Sequence, residues 1–333
     1  MKMMNILITG GNGFLGRHVV SSLLEQGNCS VRCLVRHGSQ LNGLPEDQIQ
    51  IVRGSLNNPQ DIKEALKGID TVIHLAASMG GSPMGMFIET VVSTEILMSA
   101  LSESPVDRFV FCSSFSVYGA SELKTGSIFD ENCPIEPNPK DRDAYAWCKY
   151  YQELWVKENV HSKTDLAIIR PGVIYGEDKG LLGPRIGLRL PGIPIFLQIG
   201  SNARLPLTHV QNCADAIACA GLSPNKPVGT FNIVDDECPT QKQYVKEYEK
   251  HFGTIPKRIV IPYRLFLWLS SVYWMLHKLS KGNLPPVFSS YKAKSMYRRF
   301  NFSNQKAKKE LGWTPKISLQ DGLAQSYQAP DNK

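Results

Sequence analysis

A chain of 333 residues with 42% hydrophobic and 20% charged residues has the apolar material for a large core, which excludes a disordered or fibrous architecture. Its formal charge of +7 is uneven: residues 241–333 hold 17 Lys and Arg against 5 Asp and Glu, leaving 20 against 25 before them. That basic stretch reads first as a solvated surface, with an anionic substrate or an anionic membrane surface as sharper readings; without basic–aromatic interleaving it argues against nucleic acid.

In chain order, the opening MKMMNILITGG takes an apolar strand at 4–9 straight into glycines, so no signal-peptide core is expected. FLGRHVVSSLLEQG follows as a helix with Phe14, Val19, Val20, Leu23 and Leu24 on one stripe and Gly27 as its stop. The pattern repeats: strands at 31–35 and 49–54, a helix at 61–68, a strand TVIHLAA at 71–77, a helix near 86–103 and a strand RFVFCSS at 108–114. Alternation of this kind predicts a doubly wound α/β body on a parallel sheet. The loop 130–143 precedes a helix at 144–159 and a core strand at 166–172.

After that the regularity loosens, and segments 183–200 and 284–300 belong to no clean repeat. Residues 1–172 are therefore read as the nucleotide-binding domain. Residues 173–333 are read as a smaller C-terminal substrate lobe, of which about 207–235 returns to the first domain. RLFLWLSSVYWMLHKL (264–279) is apolar nearly all round but too short to span a bilayer. Burial in the lobe or against a second copy, a lid over an apolar substrate, and contact with a membrane surface remain open for it. The cysteines Cys29, Cys33, Cys112, Cys133, Cys148, Cys213, Cys219 and Cys238 form no Cys-x-x-Cys pair and read as reduced thiols in a cytoplasmic protein; no metal site is expected.

The chemistry-bearing strings come next. In TGGNGFLG, Gly11-x-Gly13-x-x-Gly16, with Gly10 ahead of it, follows the first strand and opens the first helix. There, backbone N–H groups receive a pyrophosphate and missing side chains permit its close approach, a Rossmann dinucleotide site built from Gly10, Gly11, Asn12, Gly13, Phe14, Leu15 and Gly16. No carboxylate occurs from Gln26 to Pro45, where NAD enzymes carry one for the ribose hydroxyls. Arg36, with His37 and Arg32 as further cations, stands there instead and points to NADP over NAD. Tyr145 and Lys149 share one face of the 144–159 helix, where an ammonium and an oxidised nicotinamide would both favour the phenolate of a general acid–base. Ser114, at the end of the 108–114 strand, is in reach to hydrogen-bond a substrate oxygen, with Ser113 and Ser116 as rivals.

Taken together, these strings resemble the extended short-chain dehydrogenase/reductases, the NAD(P)-dependent epimerase/dehydratase superfamily. The family's motifs match TGGNGFLG, DTVIHLAA (70–77), SSFSVYG (113–119), YAWCK (145–149) and IIRPGVIYG (168–176), and later LTHVQNCADAI, FNIVDD and LGWTPKISLQDGL. The resemblance implies a triad of Ser114, Tyr145 and Lys149, with Lys149 also on the nicotinamide ribose. It brings Ala76 and Ala77 close to the cofactor, Pro171 and Val173 to the carboxamide, and Ser55 and Leu56 to the adenine, although Ser55 stands where the family often has Asp. Arg-Pro-Gly replaces the Asn that nucleotide-sugar enzymes carry near Gly172, TVVST (90–94) replaces Asn-Val-x-Gly-Thr, and RPGVIYGED is similar to the 3β-hydroxysteroid dehydrogenase branch.

The expected activity is hydride transfer between NAD(P) and a secondary alcohol or ketone on a bulky small-molecule substrate. The alternatives are a nucleotide-sugar epimerase or dehydratase with tightly held NAD and, more distantly, a non-catalytic NADP sensor. A homodimer is the family's expectation.

Overall fold

The computed structural model describes residues 3–177, 181–189, 193–255, 257–280, 283–284 and 290–328. Parts of the two segments read as irregular, 190–192 and 285–289, and the ends of both expected domains, 1–2 and 329–333, therefore lie outside the described residues. The first half alternates as β1 (Met4–Thr9), α1 (Phe14–Gln26), β2 (Cys29–Val35), β3 (Gln50–Arg53), α2 (Pro59–Leu66), β4 (Thr71–His74), α3 (Pro83–Phe87), α4 (Ser93–Glu103) and β5 (Arg108–Cys112). It continues with the short β6 (Ile128–Phe129), α5 (Ala144–Asn159), β7 (Asp165–Pro171) and β8 (Val173–Tyr175). The later part holds β9 (Gly187–Arg189), β10 (Phe196–Ile199), β11 (Leu207–His209), α6 (Val210–Leu222), β12 (Gly229–Ile233), α7 (Gln241–Phe252) and β13 (Arg258–Ile261). It ends with α8 (Tyr263–Leu279), α9 (Ser290–Tyr297), β14 (Asn301–Phe302), α10 (Gln305–Leu311) and α11 (Leu319–Gln328).

Among the described residues seven strands form one parallel sheet in the order β12-β7-β5-β4-β1-β2-β3. The chain runs outward through β2 and β3 and then returns to β4, so strand order reverses between β1 and β4. A crevice opens there beyond the strand C-termini, where such sheets bind ligands. Period-2 alternation splits β1: Ile6 and Ile8 join the core under α1 and α6, and Leu7 joins the core under α2 and α4. Both faces are covered, which is why the central strands read as continuous apolar runs.

Late residues complete this body. β12 pairs with β7, α6 lies against α1, and Trp313 is buried in the first core with its indole donating to Asn212 O at 2.9 Å. The segment 183–200 contains a short antiparallel pair, β9 and β10, extended by β13. Glycine and proline interrupt its alternation, so no strand period was visible.

Two strands end earlier than their apolar runs. TVIHLAA stops at His74 and RFVFCSS at Cys112, and the residues beyond turn toward the crevice. The helix expected near 86–103 begins at Pro83, capped by Ser82, and carries a π-helical turn at Ile88–Val92. Ser93 and Thr94 hydroxyls donate to the carbonyls of Glu89 and Thr90 at 2.8 and 2.6 Å, occupying acceptors in that wide turn. By length and apolarity alone the run Pro83–Glu103 would suffice to cross a bilayer, but half of it is buried in this body. Its Phe87 ring stacks on Trp147 of α5 at 4.9 Å.

Candidate active site

β1 delivers the chain into the glycine turn, whose shape requires glycine at two positions. Gly10 has φ +75° and its missing Cβ would lie 2.9 Å from Ala76 N; a Cβ on Gly16 would lie 2.1 Å from Gly10 O. The turn thus folds back on α1 and against the residues after β4. Gly13 caps α1 without a side-chain hydrogen bond, and no acidic residue occupies the first turn. The helix start is therefore suited to an anion, and its backbone cradle fits the pyrophosphate of a nicotinamide dinucleotide. Asn12 Nδ2 donates to Gln40 O and Asn42 Nδ2 to Asn12 O, both at 2.9 Å, lashing the turn to the loop after β2. Leu15 joins the first core, and Phe14 meets His18 edge-on at 5.9 Å.

The ribose end differs in part from expectation. Arg36 follows β2 and is exposed, its guanidinium 3.5 Å from Glu89. Arg32 does not join it: Nη1 donates to Ala65 O and Lys67 O at 2.7 and 2.8 Å and Nε to Gln50 at 2.7 Å, so this cation serves the C-terminus of α2. Ser55 donates its amide to Asp61 Oδ2 at 2.7 Å, and its hydroxyl accepts from Asn57 N. Asp61, from α2, so stands beside Gly54 and Ser55, a carboxylate that motif spacing did not reveal. Leu56 lies against the second core. Ala76 and Ala77 are half-buried beyond β4, Pro171 ends β7, and Val173 opens β8 opposite Leu207.

The three residues of the expected triad converge beyond the end of β5. Asp143 caps α5 by accepting from Ala146 N at 3.0 Å, and the helix carries Tyr145 and Lys149 one turn apart. Ser114 Oγ accepts from Ser116 N at 3.1 Å, and its side chain lies beside Tyr145, whose pKa it lowers in part against burial. Its rival Ser113 is committed elsewhere, donating to Glu153 Oε2 at 2.5 Å, whereas the Ser116 hydroxyl is buried without a partner among the described residues.

Lys149 Nζ donates to Cys112 O and Gln152 Oε1 at 2.7 and 2.8 Å. Burial raises the Tyr145 pKa above the ordinary phenol value, and burial also lowers that of Lys149.

Gln152 was not singled out by any motif. Fully buried, it accepts from Lys149 and donates from Nε2 to Thr94 Oγ1 at 2.8 Å and Ala76 O at 3.2 Å. His74 lies 2.9 Å from the same Thr94 hydroxyl and 2.6 Å from Thr9 Oγ1. Burial, then the Lys149 charge, pushes its pKa down to about 3, so the ring is neutral. A buried polar relay therefore joins β1, just before the glycine turn, to the lysine on α5.

Its partners come from four separate segments, which is why spacing could not find it. Replacing Gln152 by Leu removes a hydrogen bond to an ammonium, worth about 1.5–3 kcal/mol. We expect kcat to fall about 10- to 100-fold with a displaced pH–rate profile. An unchanged profile and rate would mean that Cys112 O alone holds the lysine.

Behind the relay, Glu153 accepts from Arg170 through both oxygens, from Ser113 and from Lys157 at 2.6 Å. Burial alone would raise its pKa, but the Arg170 hydrogen bonds and charge, with Lys157, hold it at about 2. This clamp ties α5 to β7 and to the residue preceding Ser114.

The profile described as the NAD dependent epimerase/dehydratase family matches residues 6–233, more than half of the chain. The chain belongs to that family. Similar relatives of this family member include a 3-beta-hydroxysteroid dehydrogenase of Mycolicibacterium neoaurum, 26% identical over 96% of this chain and 89% of that protein. A UDP-glucose 4-epimerase of Vibrio cholerae is 27% identical over 98% and 95%. Among solved structures, that of gox2253 superposes with a TM-score of 0.80 at 23% identity, covering 97% of each chain. An Agrobacterium tumefaciens short-chain dehydrogenase/reductase superfamily protein with bound NAD gives 0.72 at 22%, covering 98% of this chain and 96% of that one. Family membership makes the protein an enzyme dependent on a nicotinamide dinucleotide, which supplies or accepts hydride when bound.

Proposed function

We propose that this enzyme is an NADP-using dehydrogenase or ketoreductase that exchanges one hydride with a secondary alcohol or ketone on a bulky, partly apolar substrate. The observation that carries the reading is the placement of Ser114 beside Tyr145, one helical turn from a lysine anchored from two sides. Tyr145 gives a proton to the substrate oxygen in reduction and takes it in oxidation, while Ser114 hydrogen-bonds that oxygen. Lys149 holds the nicotinamide ribose. The steroid dehydrogenase relative supports a bulky apolar substrate.

The preference for NADP rests on Arg36, exposed at the end of β2 with only a 3.5 Å contact to Glu89, in a loop without the usual ribose carboxylate. Turnover of a panel of hydrophobic ketones with NADPH and NADH tests both parts. Arg36→Ala should raise KM for NADPH about 10- to 100-fold, the worth of a charge-assisted phosphate contact, and leave NADH nearly untouched. An equal loss with both cofactors would remove the 2′-phosphate role.

A second reading, a nucleotide-sugar epimerase, draws support from Arg185 and from the Vibrio cholerae relative. The Arg185 side chain is half-buried, its pKa is lowered to about 10 by burial and then by Arg142, and it donates to Met296 O at a long 3.5 Å. Such a cation suits a diphosphate. Protein isolated with stoichiometric NAD that interconverts nucleotide sugars without net change in NADH would decide for this reading.

A further inference from the structure

Helix α8 has two apolar faces. Toward the body, Phe266 is buried with Ile199, Ala293 and Tyr297. Toward solvent stand Leu265, Trp268, Leu269, Met275, Leu276 and Leu279, each between 42% and 70% exposed. Their spacing of three, four, ten, eleven and fourteen residues from Leu265 places them along one stripe. A stripe of this size on the outside of a folded chain marks a surface that something else covers.

The surrounding charge says what. No Asp or Glu occurs in sequence between Glu249 and Glu310, a stretch that carries 13 Lys and Arg, of which Lys250, Arg258 and Lys308 pair with Glu247, Glu249 and Asp236. Arg264 is exposed in the first turn of α8, and Lys278 is exposed in its last, 5.7 Å above the Trp274 ring. Trp268, exposed within the stripe, adds a ring with an apolar body and a polar edge, the kind favoured at a membrane–water boundary. Seventeen residues make a helix of about 25 Å, shorter than the hydrocarbon thickness, so the geometry is that of lying on a bilayer rather than crossing it. A second copy of the chain meeting this face about a two-fold axis would bring like cations together with no carboxylate between them.

We propose that α8 docks the enzyme on an anionic membrane surface. Its apolar stripe enters the acyl boundary, and Arg264 and Lys278 meet the lipid phosphates. This inference does not depend on the hydride chemistry assigned above.

Flotation of the full-length protein with vesicles of phosphatidylcholine, with and without phosphatidylglycerol, tests it. The protein should float with the anionic vesicles, with a blue shift of tryptophan emission, and be released by high salt. Serine at Trp268, Leu276 and Leu279 should weaken binding at least about tenfold, and Arg264→Gln with Lys278→Gln should weaken it on anionic vesicles alone. Unchanged thermal unfolding and cofactor binding would show that the variants are folded; if the serine variant is destabilised, the charge pair still decides. Failure to float, equal binding to neutral vesicles, or binding indifferent to these substitutions would overturn the proposal. A dimer that the serine variant dissociates, with no vesicle binding by the parent, would assign the stripe to a second copy instead.

Discussion

Tyr145→Phe should bind cofactor normally and lose about 10²- to 10⁴-fold in kcat, the usual contribution of a positioned general acid–base. The ring remains and only the exchangeable proton goes, so thermal unfolding should move little. The direction of the reaction matters for its pH dependence. Burial raises the Tyr145 pKa, so the phenol stays protonated through neutrality in the free protein. Ketone reduction, which needs the protonated form, should therefore show no loss from this group between neutral and mildly alkaline pH. Alcohol oxidation, which needs the phenolate, should rise with pH over the same range. Stopped-flow reduction and oxidation measured against pH, in wild type and variant, check both statements; equal rates for the two proteins would remove Tyr145 from the chemistry.

Glu153→Gln should be the most destabilising single change near the site. It leaves the buried Arg170 without its counter-charge, a loss of about 3–5 kcal/mol in comparable buried pairs. A Tm fall on the order of 10 °C follows for a chain of this size. The pH behaviour has a definite sign. Glu153 titrates at about 2 in the folded chain, below the ordinary carboxylate range. Its contribution is complete above that ordinary range and is lost as pH falls toward about 2. The stability gap between wild type and variant, measured by urea unfolding, should therefore be constant near neutrality and narrow below about pH 4.5. A gap that widened on acidification would contradict the clamp.

Much of the nucleotide-binding half was legible because local and long-range signals agree there. The glycine turn needs particular residues at fixed places, and the bounds read for α5 coincide with those observed because Asp143 caps its start and its apolar stripe continues to Val156. Strand ends were less legible. Ala76 and Ser113 sit in apolar runs but lie past the ends of β4 and β5, and hydrophobicity does not distinguish a residue in a strand from one just past it. The Gln152 relay was hidden because tertiary folding, not spacing, brings its partners together, whereas Asp61, only six residues beyond Ser55, belongs to no motif. Arg32, read only as a further cation beside Arg36, lies in the middle of β2 and faces the end of α2 instead. For α8 the all-round apolarity left burial, a lid and a membrane surface open, and in the structure Phe266 and Ser270 are its buried residues.

The lysine's two acceptors have a consequence for how this enzyme diversifies. One is a main-chain carbonyl at the tip of a central strand, and the other is an amide pinned from several directions at once. An ammonium so tethered does not adjust to a new guest. The reacting half therefore behaves as a fixed tool, and altered selectivity is expected to arise in segments outside it. Exchanging those segments between relatives is a route to new specificities that leaves the proton-transfer apparatus intact.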